Sequence, residues 1–301
     1  MIRSLLYVPA SSERFIGGAH KRGADAIILD LEDAVAPSAK ADARDALVRS
    51  VPEVARGGAR VFVRINSEPE LISLDAAAAC RAGADGLVVP KTKSPETLAA
   101  LERLLAPIEE ELARQPMPFI PLLEDPGAIF DARPIARGPR VLALAGGGED
   151  LATAMDAEAA PDVLRLPKLL IHMAAKAERV LSFGLLRSVA DYADAAAMHA
   201  AAEEARRFGF DGASCIHPAI VPTLNAAFAP SQADIDWASR VVAASDAAAD
   251  EGVGAFTLDG RFIDAPVVGR ARSVLARAAR QDISAGTHPS GPSLSIQREQ
   301  S

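Results

Sequence analysis

Eight times along the first 218 residues, a short apolar run ends in a polar or charged group and gives way to a stretch with helical spacing. The runs are SLLYVP (Ser4 to Pro9), AIILDLED (Ala26 to Asp33), VFVRIN (Val61 to Asn66), GLVVPK (Gly86 to Lys91), FIPLLED (Phe119 to Asp125), VLALAGGGED (Val141 to Asp150), LLRSVADYAD (Leu185 to Asp194) and GASCIHP (Gly212 to Pro218). Strand alternating with helix reads as an α/β fold with a parallel sheet, and eight repeats read as a (β/α)8 barrel, the TIM-barrel architecture. In such a barrel the residues just past each strand gather on one face. Asp30, Glu32, Asp33, Arg64, Asn66, Lys91, Glu124, Asp150 and His217 all hold that position, which describes one charged pocket and therefore an enzyme.

Composition narrows the function further. With 301 residues, half of them apolar, the chain can bury one large core without a second catalytic domain. A net charge of -8 leaves no basic surface for displacing counterions from a polyanion, so nucleic acid is not expected as a partner. No apolar run approaches the ~20 residues that cross a bilayer, so no membrane partner is expected. Met1-Ile2-Arg3 leads straight into the first strand, without the charged and apolar regions of a signal peptide, and a cytoplasmic location is expected. The two cysteines, Cys80 and Cys215, are too few for a disulfide framework or a thiolate cluster and read as packed thiols. Aromatics at 4% offer no platform for stacking bases or sugars.

Helical spacing is predicted over 14–22, 38–50, 69–81, 95–113, 128–137, 163–181, 195–208 and 218–228, several of these opening with proline and closing with glycine. The barrel is thus expected to span 1–228. Beyond Phe228 the rhythm changes. A helix is predicted from Gln232 to Glu251, a hairpin over Ala255 to Asp264 around the Asp259-Gly260 turn, and a helix from Pro266 to about Gln281. These make 229–281 a helical and hairpin extension. The Ser-, Gln-, Pro- and Gly-rich stretch 282–301 reads as a disordered tail.

Several of these residues carry recognisable chemistry. Glu124 and Asp150 close the fifth and sixth runs, placing two carboxylates side by side at the barrel mouth. They would make a partial oxygen shell for Mg²⁺, or one would serve a salt bridge or helix cap. Arg64 could clamp a carboxylate or stabilise an oxyanion, or equally pair with barrel acids. Asp30, Glu32 and Asp33 form the densest acidic cluster, and at least one should lie near a cation such as Lys91. His217 invites a general-base role, but with Pro218 directly after it and no nucleophile pattern nearby it reads rather as a positioned structural imidazole. Gly146-Gly147-Gly148 would let a ligand approach the backbone, but has neither Walker nor Rossmann spacing.

Taken together, RSLLYVPASSER, GADAIILDLEDAVAPSAKADAR, VRIN, GLVVPK, the Glu of PLLED, GGGEDLA, GFDGASCIHPAIV and GAFTLDGRFIDAP resemble the citrate lyase beta-subunit-like family, which includes malyl-CoA and citramalyl-CoA lyases. The resemblance implies a Mg²⁺-dependent carbon–carbon lyase that cleaves or forms a short 3-hydroxyacyl-CoA, with acyl-CoA and a 2-oxo acid as its small-molecule partners. It implies Glu124 and Asp150 as metal ligands, Arg64 beside the reacting carbonyl, and Glu32 and Asp33 as acids that orient waters on the metal. Arg3 and Lys91 match positions lining the substrate or CoA path. Asp264 matches an acid delivered by the extension of a neighbouring subunit, so a homo-oligomer, a trimer or hexamer, is implied. The chain departs from the family at Asp125, where threonine is usual, at Ala213, where lysine is common, and in MDAEAAPDVLRLPKLLIH, which lacks the usual arginine-serine signature. A pyruvate-type aldolase without CoA and a non-catalytic binding subunit are the competing readings.

Overall fold

Strands β1 (Ser4–Pro9), β2 (Ala26–Asp30), β3 (Arg60–Arg64), β4 (Gly86–Val89), β5 (Phe119–Leu123), β6 (Ala143–Gly146), β7 (Leu181–Phe183) and β8 (Ala213–Cys215) pair in parallel in the computed structural model, which describes residues 1–189 and 194–286. Their order is β7-β6-β5-β4-β3-β2-β1-β8, and a parallel bridge between Phe183 and Gly212 joins the two ends, so the sheet closes into a ring. The helices that cover it are α1 (Glu13–Ala19), α2 (Lys40–Asp45), α3 (Leu47–Ala55), α4 (Pro69–Arg81), α5 (Pro95–Glu111), α6 (Pro126–Phe130), α7 (Ala132–Ala136), α8 (Gly148–Ala154), α9 (Pro161–Ala177), α10 (Ala195–Phe208) and α11 (Val221–Phe228). The α/β barrel expected from the sequence is the fold.

Alternation along each strand divides the core in two. Leu5, Ala26, Ile28, Phe62, Val88, Ile120, Leu122, Ala143 and Phe183 fill the barrel interior, while Leu6, Val8, Ile27, Leu29, Val61 and Val63 pack outward among the helix faces. An aspartate stands shortly before each of β2, β4 and β8, at the lower end of the ring. Asp25 accepts from the Arg3 N–H (2.7 Å), Asp85 from Val61 N–H (2.7 Å) and Asp211 from Ser182 N–H (3.0 Å), each holding the start of the neighbouring strand.

The seventh strand corrects the sequence reading. It lies at Leu181–Phe183 rather than within 185–194, of which 190–193 fall outside the described residues. The preceding helix ends at Ala177 with no glycine or proline to mark it, and the chain turns through Arg179 at φ 59, so Val180 and Leu181 read as its continuation. The helix predicted over 38–50 is two helices, α2 and α3, the second running on through Pro52. The short α8, inserted directly after the glycine turn, was not expected.

A second compact unit comprises Met1 with the chain from Ala229 onward. It holds α12 (Gln232–Asp250), opened by a Ser231/Asp234 capping box, the hairpin strands β9 (Phe256–Leu258) and β10 (Arg261–Ile263), and α13 (Ala265–Gly286). Ala238, Val241, Ile263, Val268 and Ala271 form its own small core. Helix α13 continues over 282–286, which composition alone assigns to the tail.

Candidate active site

The same alternation that fills the barrel carries polar groups to its mouth. On β2, Ala26 and Ile28 point inward and Asp30 follows two residues on; on β3, Phe62 is followed by Arg64; beyond β5, Ile120 and Leu122 are followed by Glu124. Asp30 and Arg64 are register partners. They form a bidentate pair, Arg64 Nε to Asp30 Oδ1 at 2.7 Å and Nη2 to Oδ2 at 2.7 Å. The third arginine nitrogen, Nη1, lies 3.1 Å from both Glu32 Oε2 and Asp33 Oδ2. Asp30 and Glu32 are buried, whereas Asp33 is exposed. Burial works against the guanidinium charge, but the hydrogen bonds and charges of these acids outweigh it and hold its pKa above the ordinary arginine value. Of the two roles open to Arg64, partner of barrel acids is the one that this arrangement displays.

Glu124 is 5% exposed. Its Oε2 accepts the Lys91 N–H at 2.8 Å, a bond made possible by the left-handed turn at Lys91 (φ 48). Its Oε1 rests against the glycine turn, where a Cβ added at Gly147 would stand 2.2 Å away. Burial first, then the charges of Asp150 and Glu32, push its carboxyl up to about 7. Glu32 is raised for the same leading reason, burial, and its Oε1 is buried without a hydrogen bond, 3.5 Å from Lys91 Nζ. The expectation that a member of the acidic cluster lies near Lys91 thus describes Glu32. Asp150 sits in the first turn of α8 rather than at the end of β6, and its charge is felt at both Glu124 and Lys91.

A cavity of about 460 Å³ at the upper end of the ring is lined by Tyr7, Asp30, Asp33, Arg64, Glu124, Gly146 to Gly148, Asp150 and Lys168 among others, whereas Glu32 and Lys91 do not line it. It is smaller than the groove of about 540 Å³ at the lower end around Arg60, Cys80 and Arg114, but that one holds no convergent acids beyond Asp85, which is engaged with Val61.

Arg3 is not part of the pocket. It precedes β1, at the opposite end of the ring, and pairs there with Asp25 (Nε–Oδ2 2.8 Å, Nη2–Oδ1 2.8 Å). Its position before rather than after a strand is what puts it there. Asp264 lies in the second unit, where its Oδ1 accepts Val267 N–H at 3.2 Å and opens α13. His217 accepts from Ala219 N–H at 3.2 Å and so helps shape the turn after β8, as a positioned imidazole would. Both cysteines are buried free thiols, as expected; burial pushes Cys215 up to about 12.

Two lining residues escaped the sequence reading. Tyr7 continues the inward series Leu5, Tyr7 on β1, and the Arg64 guanidinium lies over its ring at 5.1 Å; burial raises its pKa above the ordinary phenol value. Lys168 sits on the buried face of α9 with Leu164, Ile171 and Ala175, and a cation at a core position of a helical pattern was the available signal.

Residues 3–218 match the family described as HpcH/HpaI aldolase/citrate lyase. Citrate lyase subunit beta of Escherichia coli (strain K12) is 33% identical over 282 residues, covering 92% of this chain and 93% of that protein. A (3S)-malyl-CoA thioesterase of Cereibacter sphaeroides is 34% identical over 279 residues, covering 92% and 94%. Among solved structures, CitE of Mycobacterium tuberculosis in complex with magnesium, acetoacetate and coenzyme A superposes with a TM-score of 0.74 at 29% identity, covering 92% of this chain and 97% of that one. A citrate lyase of Burkholderia xenovorans LB400, with a TM-score of 0.81 and 24% identity over 94% and 93% of the two chains, shares the fold. The match over residues 3–218 and the relatives that span almost the whole chain show that it belongs to the HpcH/HpaI aldolase/citrate lyase family.

Proposed function

We propose that this protein is a Mg²⁺-dependent carbon–carbon lyase that cleaves, or forms, a short 3-hydroxyacyl-CoA such as malyl-CoA or citramalyl-CoA, releasing acyl-CoA and a 2-oxo acid. The observation that carries the reading is the convergence of Glu124 and Asp150 on one pocket beside a glycine turn.

The residues present fit a hard dication. The pocket lining carries five carboxylates, Asp30, Asp33, Glu124, Glu149 and Asp150, against two cations, Arg64 and Lys168. Among the described residues no cluster of three or more His, Cys, Asp or Glu side chains is spaced to hold a metal, so Glu124 and Asp150 would leave most positions to water or substrate oxygens, the arrangement magnesium favours. When bound, magnesium supplies positive charge that polarises the oxygens of the acid.

The chain's own groups would do the rest. Breaking the bond beside the hydroxyl releases a proton from that oxygen and leaves an enolate on the thioester fragment, which must gain a proton at carbon. Arg64, fixed by Asp30 and stacked on Tyr7, contributes a positive field without moving. Asp264, from the extension of a second copy in a homo-oligomer, would exchange the proton with the enolate carbon. Lys91 would line the approach of the CoA chain. In keeping with this reading, no helix among the described residues is long and apolar enough to cross a membrane, and the expected site of action is the cytoplasm.

Incubating pure protein and Mg²⁺ with acetyl-CoA or propionyl-CoA and glyoxylate, pyruvate or oxaloacetate, then identifying products by mass spectrometry, tests the proposal. Condensed CoA thioesters support it; products formed only from free acids point to an aldolase without CoA. The Cereibacter relative suggests one further measurement, whether malyl-CoA yields glyoxylate with acetyl-CoA, or malate with free CoA.

A further inference from the structure

Lys168 is the pocket group that the scheme above leaves unused. Its side chain is buried, and its ammonium reaches the pocket wall beside the glycine turn, where a Cβ added at Gly148 would lie 3.5 Å from Nζ. An ammonium carries three N–H donors. Lys168 uses one on the Arg187 carbonyl at 2.7 Å, and among the described residues it makes no other hydrogen bond and has no carboxylate within 4 Å. Glu149, the acid whose charge it feels most, is turned to the Ser188 hydroxyl. A buried charge with so little compensation is costly to keep, and burial lowers its pKa to about 8.

The neighbouring cations, Arg64 in the pocket and Lys91 outside its lining, are engaged. Arg64 directs three nitrogens to Asp30, Glu32 and Asp33, and Lys91 Nζ lies against Glu32. Lys168 belongs to the side of the ring formed by β6 and β7, across the mouth from β2 and β3, which carry the Arg64 cluster. Glu124 rests on Gly147 and Lys168 on Gly148, so a small acid seated at this turn would meet the carboxylate ligand at one residue and an ammonium at the next.

We propose that Lys168 binds substrate directly: its two unspent N–H groups receive the carboxylate of the 2-oxo acid, or of the same half of the hydroxyacyl thioester, beside Gly148. This rests on the reading that the pocket takes a short oxo acid. The test is calorimetric titration of pyruvate into the magnesium-loaded protein. Lys168→Met should weaken pyruvate binding about tenfold or more, as loss of a charge-assisted contact does, while leaving Mg²⁺ affinity unchanged. Lys168→Arg, which keeps charge and donors, should stay within about threefold of wild type. A folded Lys168→Met protein that binds pyruvate like wild type overturns the proposal. Should the methionine variant not fold, a wild-type crystal structure with magnesium and pyruvate decides. A pyruvate carboxylate oxygen hydrogen-bonded to Lys168 Nζ supports the assignment, and a carboxylate held elsewhere overturns it while leaving the lyase reading intact. If wild-type protein binds none of pyruvate, glyoxylate and oxaloacetate, the lyase reading fails and this assignment with it.

Discussion

The carboxylate of Glu124 occupies the space that a side chain at Gly147 would need: a Cβ built there stands 2.2 Å from Oε1 and 2.8 Å from Cγ. The backbone at Gly147 is extended (φ -80, ψ 113), so any residue could adopt its conformation. The need for glycine is therefore one of space. Gly147→Ala should displace Glu124 and weaken Mg²⁺ binding by about tenfold or more, read by calorimetry. Gly148→Ala, whose Cβ would press on the tip of Leu164 at 3.0 Å and meet Lys168 Nζ and Cε at ordinary contact distances of 3.5 and 3.7 Å, should be much milder. Equal losses in the two variants would contradict the account.

Glu124 also makes a pH prediction for the protein in chelator. Its carboxyl is raised from 4.5 to about 7, chiefly by burial, so between those values the folded state holds a proton that the unfolded state has released. Stability must then fall as pH rises through that window, by at most about 1.4 kcal/mol per pH unit for the one proton. Glu124→Gln removes this contribution. Urea denaturation of both proteins at pH 5, 6 and 7 should show wild type losing stability relative to the variant; parallel pH profiles would count against it.

Breaking the Asp30–Arg64 pair should be costly, because Asp30 is 2% exposed and the guanidinium would be left with one fewer acid in a desolvated site. Asp30→Ala is expected to lose about 3–5 kcal/mol in chemical denaturation, the range for removing one partner of a buried pair. Asp33→Ala, at an exposed partner of the same arginine, should lose about 1 kcal/mol or less.

Asp264 opens α13 and, in the proposed reaction, carries a proton, and substitution can separate the two. Asp264→Asn keeps an N-cap side chain while removing the carboxylate, so it should fold and bind Mg²⁺ normally yet lose turnover. If the acid is supplied by a second copy, mixed oligomers of Asp264→Asn and Glu124→Gln should regain part of the activity that each variant lacks alone. Full activity of Asp264→Asn would remove it from the reaction.

Chelation offers the broadest check. EDTA should abolish carbon–carbon cleavage, and Mg²⁺ should restore it, whereas catalysis indifferent to chelator would leave Glu124 and Asp150 without their proposed task.

How much of this could be read from the chain alone follows from strand geometry. Asp30, Arg64 and Glu124 each stand an even number of residues beyond an inward apolar residue on their own strand, so a period of two suffices to send them into the same opening once eight runs are counted. Neither the seventh strand nor Asp150 is set by that rule, since the first is three residues long with no punctuation before it, and the second is carried by the unforeseen α8. Arg3 matched by motif a position lining the substrate or CoA path, but a residue before a strand and one after it are separated by the full height of the barrel. Sequence by itself thus determined the α/β alternation and the acids at the strand ends, because these depend on local periodicity, and the family resemblance, which rests on the motifs themselves. Only the tertiary structure decided that Arg64 is already committed to Asp30, that Gly147 makes room for Glu124 and that Lys168 reaches the wall from a helix, because long side chains choose partners among residues that the closed ring brings together from distant parts of the chain.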